Sequence, residues 1–369
     1  MKKKRTLAAL MSAAMCLLFA GCNGGAAETT TPAETTAPAP AETTETTEAT
    51  QTDESEAPSQ NEETDAPQSE DTLDAPERVK VAALKGPTAM GLTYFMDHAE
   101  ETGVNYDFTI AAAVDEISPM LIQGTTDLAC VPANLASVLY NKTEGAVEVL
   151  AVNTLGVLYI AENGDEVASI ADLKGKTIYS SGKGATPEFS LNYLLSENGI
   201  DPTADVTIEW KSEHSECLAD LVANPGSVAM LPQPFITTAL TKNEDIRVAV
   251  DLNEEWDKLD NGSALLTGVI VGRKEFIESY PDVIDGFLDG YAESVDYVNT
   301  NVPEAAQLIE KYDIVPAAVA EKALPACNIV CITGAEMKEK LSGYLGVLFD
   351  QLPSSVGGAL PSDDFYYVK

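Results

Sequence analysis

Histidine and tryptophan are almost absent from this chain, with two of each in 369 residues. With only His98 and His214 to offer imidazole, a zinc site would need His214, Cys217 and help from afar. The run "HSEC" lacks the paired spacing of zinc motifs, so no metal is expected. Cysteine is nearly as scarce. Apart from Cys16 and Cys22, only Cys130, Cys217, Cys327 and Cys331 remain, too few for a disulfide framework in a chain of this length. "CNIVC" (Cys327 to Cys331) has helical i, i+4 spacing and reads as a pair of buried thiols, with a disulfide left open. Basic residues are few, 22 against 59 acidic, for a net charge of −37. That balance argues against nucleic acid, which needs Lys/Arg stripes, and against peripheral binding to anionic lipid. No H-E-x-x-H, G-x-S-x-G or dinucleotide fingerprint occurs, and "SGKGATP" fails as a phosphate loop because Lys183 precedes Gly184. Nothing calls for a cofactor.

What the chain does have begins at its start. "MKKKR" is a basic n-region, and "TLAALMSAAMCLLFA" is an apolar run too short for a membrane span. It ends in "FAGC", so residues 1–21 read as a lipoprotein signal peptide cleaved before Cys22, although Phe19 stands where such boxes usually carry Leu. A lipidated Cys22 would anchor the protein without a transmembrane helix. The alternative is an ordinary signal whose cleavage leaves Cys22 unmodified. From 22 to 76 follow mainly Thr, Glu, Ala, Pro, Ser and Gln, with 14 acidic residues and no Lys or Arg. Such a segment cannot bury enough surface to offset its ordering entropy and reads as a disordered stalk. Fully extended it would reach on the order of 180 Å. A long stalk on a lipid anchor suits the outer face of a membrane beneath a thick, Gram-positive wall.

The remaining 293 residues carry 18 basic against 45 acidic side chains, and suffice for two domains or one two-lobed body. Strand and helix signals alternate: "RVKVAAL", "YDFTIAAA", "TDLACVP" and "VEVLAVNTLGVLYIAE" as strands, with helices such as "ANLASVLYNK" between them. The rhythm restarts with "KTIYSS", "DVTIEWK", "SVAMLPQP" and "IRVAVDL". "SALLTGVIVGR" is a late strand, and helices alone are expected from Lys274 to about Gln351. Alternation of this kind predicts α/β layers with parallel sheets. The chain should cross between two lobes near Gly156 and again near Leu265. The expected boundaries are 77–155 with 265–369 for lobe 1, and 156–264 for lobe 2.

Ligands in such sheets sit beyond the carboxyl ends of strands. Four loops qualify: "LKGPTAMG", "VPANLAS", "SSGKGATP" and "LPQPFITT". The third turns abruptly into a helix, with Thr186 placed to cap, Pro187 suited to the first helical position and Glu188 in the first turn. Each loop taken singly reads equally well as an ordinary strand–helix turn. Four of them at strand ends in two facing lobes point to a cleft.

The run "ADLKGKTIYSSGKGATPEFSLNYLLSENGIDPTADVTIEWKSEHSE", followed by "AMLPQPFITTAL", resembles the solute-binding lipoproteins of ABC importers. The nearest subgroup is that of the taurine/alkanesulfonate, nitrate and thiamine-pyrimidine binders. The late "GVIVGRKEFIESYPDVIDGFLDGYAESVDYVN" is similar to that family's return strand and helix, and "SSVGGALPSDDFYY" to its tail. The resemblance spans residues 78–369. It implies a type II periplasmic-binding fold, a small-molecule ligand, an ABC permease as partner, a monomer, and no catalysis. It further implies ligand contacts from Thr88, Met90, Asn134, Lys183, Gly184, Ala185, Thr186 and Gln233, with Leu155 and Gly156 at the hinge. Tyr159, Phe235 and Trp256 are stacking candidates. Lys183 facing the cleft would favour an anion; facing solvent it is one basic residue among 18. The absence of Arg from all four loops, with their Met and Pro content, favours a heteroaromatic solute such as a thiamine pyrimidine over sulfonate or nitrate. Two rivals stand beside transport: an enzyme on the same fold (a small-molecule lyase or a pyrimidine synthase), and a surface sensor or adhesion module. The export signal and the missing cysteine-rich motif of the pyrimidine-forming relatives weigh against the first. No second domain follows for the other.

Overall fold

Strand β1 (Val79–Leu84) sends Val79, Val81 and Ala83 into one apolar core and Ala82 into another. Burial on both faces is what helix-covered sheets require, and it explains the nearly continuous hydrophobic run. The computed structural model describes residues 76–368; the export signal, Cys22 and all of the stalk but Pro76 lie outside the described residues. Two sheets organise the rest. The first joins β1 to β2 (Tyr106–Ala111), β3 (Leu128–Pro132), β4 (Val147–Leu155), β10 (Leu266–Arg273) and β11 (Ile329–Ile332), in the order β11-β4-β10-β3-β1-β2. The second holds β5 (Leu158–Asn163), β6 (Thr177–Ser181), β7 (Thr207–Lys211), β8 (Val228–Pro232) and β9 (Ile246–Asp251), in the order β7-β6-β8-β5-β9.

The expectation of parallel sheets needs correcting. β1 runs parallel to β2 and β3, and β6 to β7 and β8. By contrast, β10 is antiparallel to β3 and β4, and β5 is antiparallel to β8 and β9. β4, β5 and β10 flank the passages between the sheets; β5 and β10 run against their neighbours, which makes both sheets mixed. A second correction concerns "CNIVC". Its last three residues, with Ile332, form the short strand β11, pairing Ile329 with Thr154 and Ile332 with Val152, where helices alone were expected. β-Branched Ile and Val suit a strand, and the i, i+4 cysteine spacing carried no helical information here. The four cysteines among the described residues are free thiols, and burial pushes Cys327 up to about 12.

The passages between the sheets lie side by side. Gly156 donates its N–H to Asn253 Oδ1 at 3.1 Å, and its carbonyl accepts from Asn328 Nδ2 at 2.5 Å. A methyl group at Gly156 would stand 2.7 Å from Asn253 Oδ1 and 2.8 Å from a Leu265 methyl, so only glycine fits between the two passages. The helix Gly334–Gln351 joins the layers further. Its Leu341, Tyr344 and Leu345 share one apolar cluster with Val149 and Val269 of the first sheet and with Leu191, Leu194 and Trp256 of the second side.

Candidate functional site

Helices that follow strands begin on the sheets' carboxyl side, and five of them start around one cavity of about 370 Å³. These are Val114–Ile122 and Ala133–Lys142 beside the first sheet, and Thr186–Glu197, His214–Ala223 and Phe235–Lys242 beside the second. Convergent N-termini direct partial positive charge into the space between them. The walls are chiefly apolar: Leu84, Val114 and Leu135 on one side, Phe235 and several prolines on the other, with Val157 and Leu158 at the crossing. Polar groups are few. They include Thr88, Asn134, Thr186, His214, Gln233 and Thr267, with Lys85 at one edge, and the Lys85 ammonium is held by Asp313 at 3.4 Å.

Several of these groups are already engaged with the protein. Thr88 Oγ1 donates to the Leu84 carbonyl at 2.7 Å. The Gln233 side-chain carbonyl accepts from the Thr237 hydroxyl at 2.8 Å. Thr186 Oγ1 donates to Asn134 Oδ1 at 3.4 Å and accepts from the Tyr344 hydroxyl at 3.3 Å, while Asn134 Nδ2 donates to the Ser355 carbonyl at 3.3 Å. This chain of bonds ties the helix that opens with Thr186 to the first-sheet side, next to the cavity. Thr186 is free for that role because it does not cap its helix. The N-cap is Ala185, and Thr186 is the first helical residue. Glu188 reaches back to accept the Gly184 N–H at 2.6 Å, and the Ala185 N–H donates to the Gly182 carbonyl at 3.1 Å.

Of the residues expected at the ligand, the cavity brings together Thr88, Asn134, Ala185, Thr186 and Gln233. It does not bring in Met90, Leu155, Gly156, Lys183 or Gly184. Met90 is fully buried, one turn of a four-residue helix past the cavity wall, with its sulfur 3.9 Å from Cys327 Sγ. Leu155 packs into the main apolar core and Gly156 is pinned between two asparagines. Lys183 and Gly184 lie on the exposed outer turn of their loop, so Lys183 takes its solvent-facing reading. Among the stacking candidates, only Phe235 lines the cavity. Tyr159 donates its hydroxyl to the Ala326 carbonyl at 2.8 Å, and Trp256 is wholly enclosed.

Sequence reasoning passed over His214, Val114, Leu158 and Thr267. His214 is the one imidazole on the cavity wall and opens its helix with Nδ1 2.5 Å from Ser181 Oγ. Its ring leans on Phe235, centroids 5.2 Å apart. Burial holds its pKa below the ordinary histidine value, which favours the neutral ring. The loop "KSEH" ends a strand and starts a helix as the other four do, and that position was the available signal. It contains no Gly or Pro, so turn chemistry did not mark it.

Two α/β lobes with paired crossings, meeting over an apolar cavity at the carboxyl ends of their strands, define the type II fold of periplasmic solute-binding proteins. Residues 95–259 match the family described as ABC transporter, phosphonate, periplasmic substrate-binding protein. The chain is 24% identical over 238 residues to YtlA of Bacillus subtilis (strain 168), named as a binding protein, covering 54% of this chain and 70% of YtlA. In fold it is similar to the crystal structure of an ABC transporter from Parabacteroides distasonis, with a TM-score of 0.68 at 24% identity, covering 80% of this chain and 100% of that one. It is also similar to the aliphatic sulphonate binding protein SsuA of Escherichia coli, with a TM-score of 0.64 at 16% identity, covering 79% and 92%. The family match covers residues 95–259, and the likeness to these solved structures is one of fold.

Proposed function

We propose that this chain is the lipid-anchored, extracellular receptor of an ABC importer. It captures one small organic solute between its lobes and delivers it to the permease. The observation that carries the reading is the cavity itself, small, apolar and walled by both lobes. At about 370 Å³ it falls at the lower end of small-molecule sites, which run from about 300 to 1,000 Å³. Cys22 supplies the anchor and 22–76 the tether. The lobes are 77–155 with 265–369, and 156–264, hinged where Gly156 and Leu265 meet. Solute contacts from both sides favour the closed state by their differential affinity for it. The preferred solute has a largely apolar body, with Phe235 as its flat contact; heteroaromatic compounds and short organic sulfonates both fit that description. Catalysis is not part of the role. The one Ser–His pair beside the cavity has its serine, Ser181, 2% exposed and out of reach of a substrate.

The bonds through Thr186 hold the lobes together without any solute, so they set the resting balance between open and closed forms. Thr186→Val keeps the shape and removes both hydroxyl bonds, at a cost of about 1 kcal/mol to the closed state. Apparent affinity for any bound solute should then fall about fivefold, as titration calorimetry would measure; an unchanged affinity would remove Thr186 from the closing mechanism.

The reading is tested by thermal unfolding of the full chain against thiamine pyrimidine, riboflavin, taurine, alkanesulfonates, nitrate and polyamines. A solute present at 100 times its dissociation constant adds about 2.7 kcal/mol. The melt should rise by several degrees for one chemical class and for no other.

A further inference from the structure

Resting on the solute-binding reading, we infer that His214 is the head-group residue of the cavity: its ring takes up one proton from solvent when a solute bearing a carboxylate or sulfonate enters. The geometry begins with what is left unengaged. The side-chain hydroxyls of Thr88 and Thr186, the Asn134 amide and the Gln233 carbonyl are bonded within the protein. The Lys85 ammonium is paired with Asp313. Beside the neutral Thr267 hydroxyl, His214 keeps a ring nitrogen for the cavity, at the first position of a ten-residue helix, where an anion is also favoured by the helix terminus.

Nδ1 lies 2.5 Å from Ser181 Oγ and is engaged there, which leaves Nε2 for the cavity. Burial favours the neutral ring while the site holds no anion. One proton added to that ring gives it a full positive charge, and an anion at Nε2 then makes a charge-assisted hydrogen bond.

Apart from Lys85 at the cavity edge, whose partner Asp313 is fully exposed, no other charge in the surroundings stands in for that proton. On the same helix, Glu216 accepts the Ser212 and Glu213 N–H groups, Glu213 accepts from the Ser215 hydroxyl, and Asp220 pairs with Lys211 of β7 at 2.7 Å. Lys211 also meets Glu209 and lies over the Tyr179 ring of β6. Glu162 of β5 pairs with Arg247 at 2.6 Å, and β8 carries no titratable side chain. Lys242 sits in the last turn of the helix Phe235–Lys242, at the opposite end from the cavity, and Lys183 is exposed.

The sign of the pH effect follows. Without solute, the folded imidazole stays neutral while the unfolded one protonates near about pH 6.5, so the unfolded state binds more protons and stability falls as pH drops through that value. Anion binding acts in the reverse direction and raises the imidazole pKa, so affinity increases as pH falls.

Titration calorimetry of the full chain tests this with benzenesulfonate, benzoate and 1-butanesulfonate, each beside a neutral analogue such as benzenesulfonamide or benzamide. At least one anion should bind five- to tenfold tighter at about pH 5.5 than at about pH 7.5, with proton uptake seen by repeating the titration in buffers of different ionisation enthalpy. His214→Gln should flatten that dependence to within about twofold, and Ser181→Ala, which frees Nδ1, should alter its midpoint while leaving the site formed. Binding of neutral analogues alone, or anion binding indifferent to pH, overturns the inference and leaves solute binding standing. Failure of every anion also overturns it, and if neutral analogues and co-purified solute are absent too, the solute reading falls with it.

Discussion

Trp256→Ala is expected to lower the stability of the folded chain by about 3–5 kcal/mol, the range for removing a fully buried large aromatic. The side chain is 0% exposed. Its ring packs against Tyr193 at 4.7 Å and Tyr344 at 5.7 Å, and its Nε1 donates to Ser263 Oγ at 2.9 Å. Truncation leaves a void between a second-sheet helix and the helix Gly334–Gln351, and removes the bond to Ser263, whose hydroxyl keeps its own bond to Asn261 Oδ1 at 2.7 Å. The void sits where the lobes share one apolar cluster, so neither side is able to close it by moving alone. Thermal melting should fall on the order of 10 °C in a chain of this size. A loss below about 1 kcal/mol would mean that the cluster is discontinuous there and that Gly334–Gln351 does not join the layers.

Ala185→Trp is expected to weaken solute binding by at least about 100-fold, equivalent to about 2.8 kcal/mol, while moving the melting temperature by no more than about 2 °C. Ala185 is half-buried on the cavity wall, with an extended backbone (φ −132°) that any L residue adopts. An indole there occupies much of a space of about 370 Å³ and stays clear of the hydrophobic cores. Titration with whichever compound raises the melt would read the effect directly. Unimpaired binding would place the solute elsewhere, because no solute of useful size shares that volume with an indole.

Much of the fold was legible because burial writes itself into composition. β1, β3, β4 and β10 are apolar runs bounded by turn residues, and "GKGATPE" announced a helix start that the structure has at Thr186. Strand direction was not legible: β5 and β10 read like any other buried strands, and only the path between sheets makes them antiparallel. β11 escaped because a strand of four residues, one of them Cys331, carries too little pattern. At the site, loop positions were readable but side-chain commitments were not. Glu188 captures the Gly184 N–H that was expected to meet a ligand, and Asn134 and Thr186 bond each other and their neighbours. Met90 is only two residues past Thr88, yet the four-residue helix Pro87–Met90 turns it into the core. His214 was read for zinc and for nothing else, since its loop lacks the glycines that mark the other four.

The most direct measurement is native mass spectrometry of the full chain as purified from its own cells, with the released small molecules identified after denaturation. The account predicts one small solute per chain in wild type and none in Ala185→Trp purified alongside it. A wild-type chain that carries no solute, and gains none from any compound in the thermal panel, would contradict a receptor closing over a ligand in this cavity.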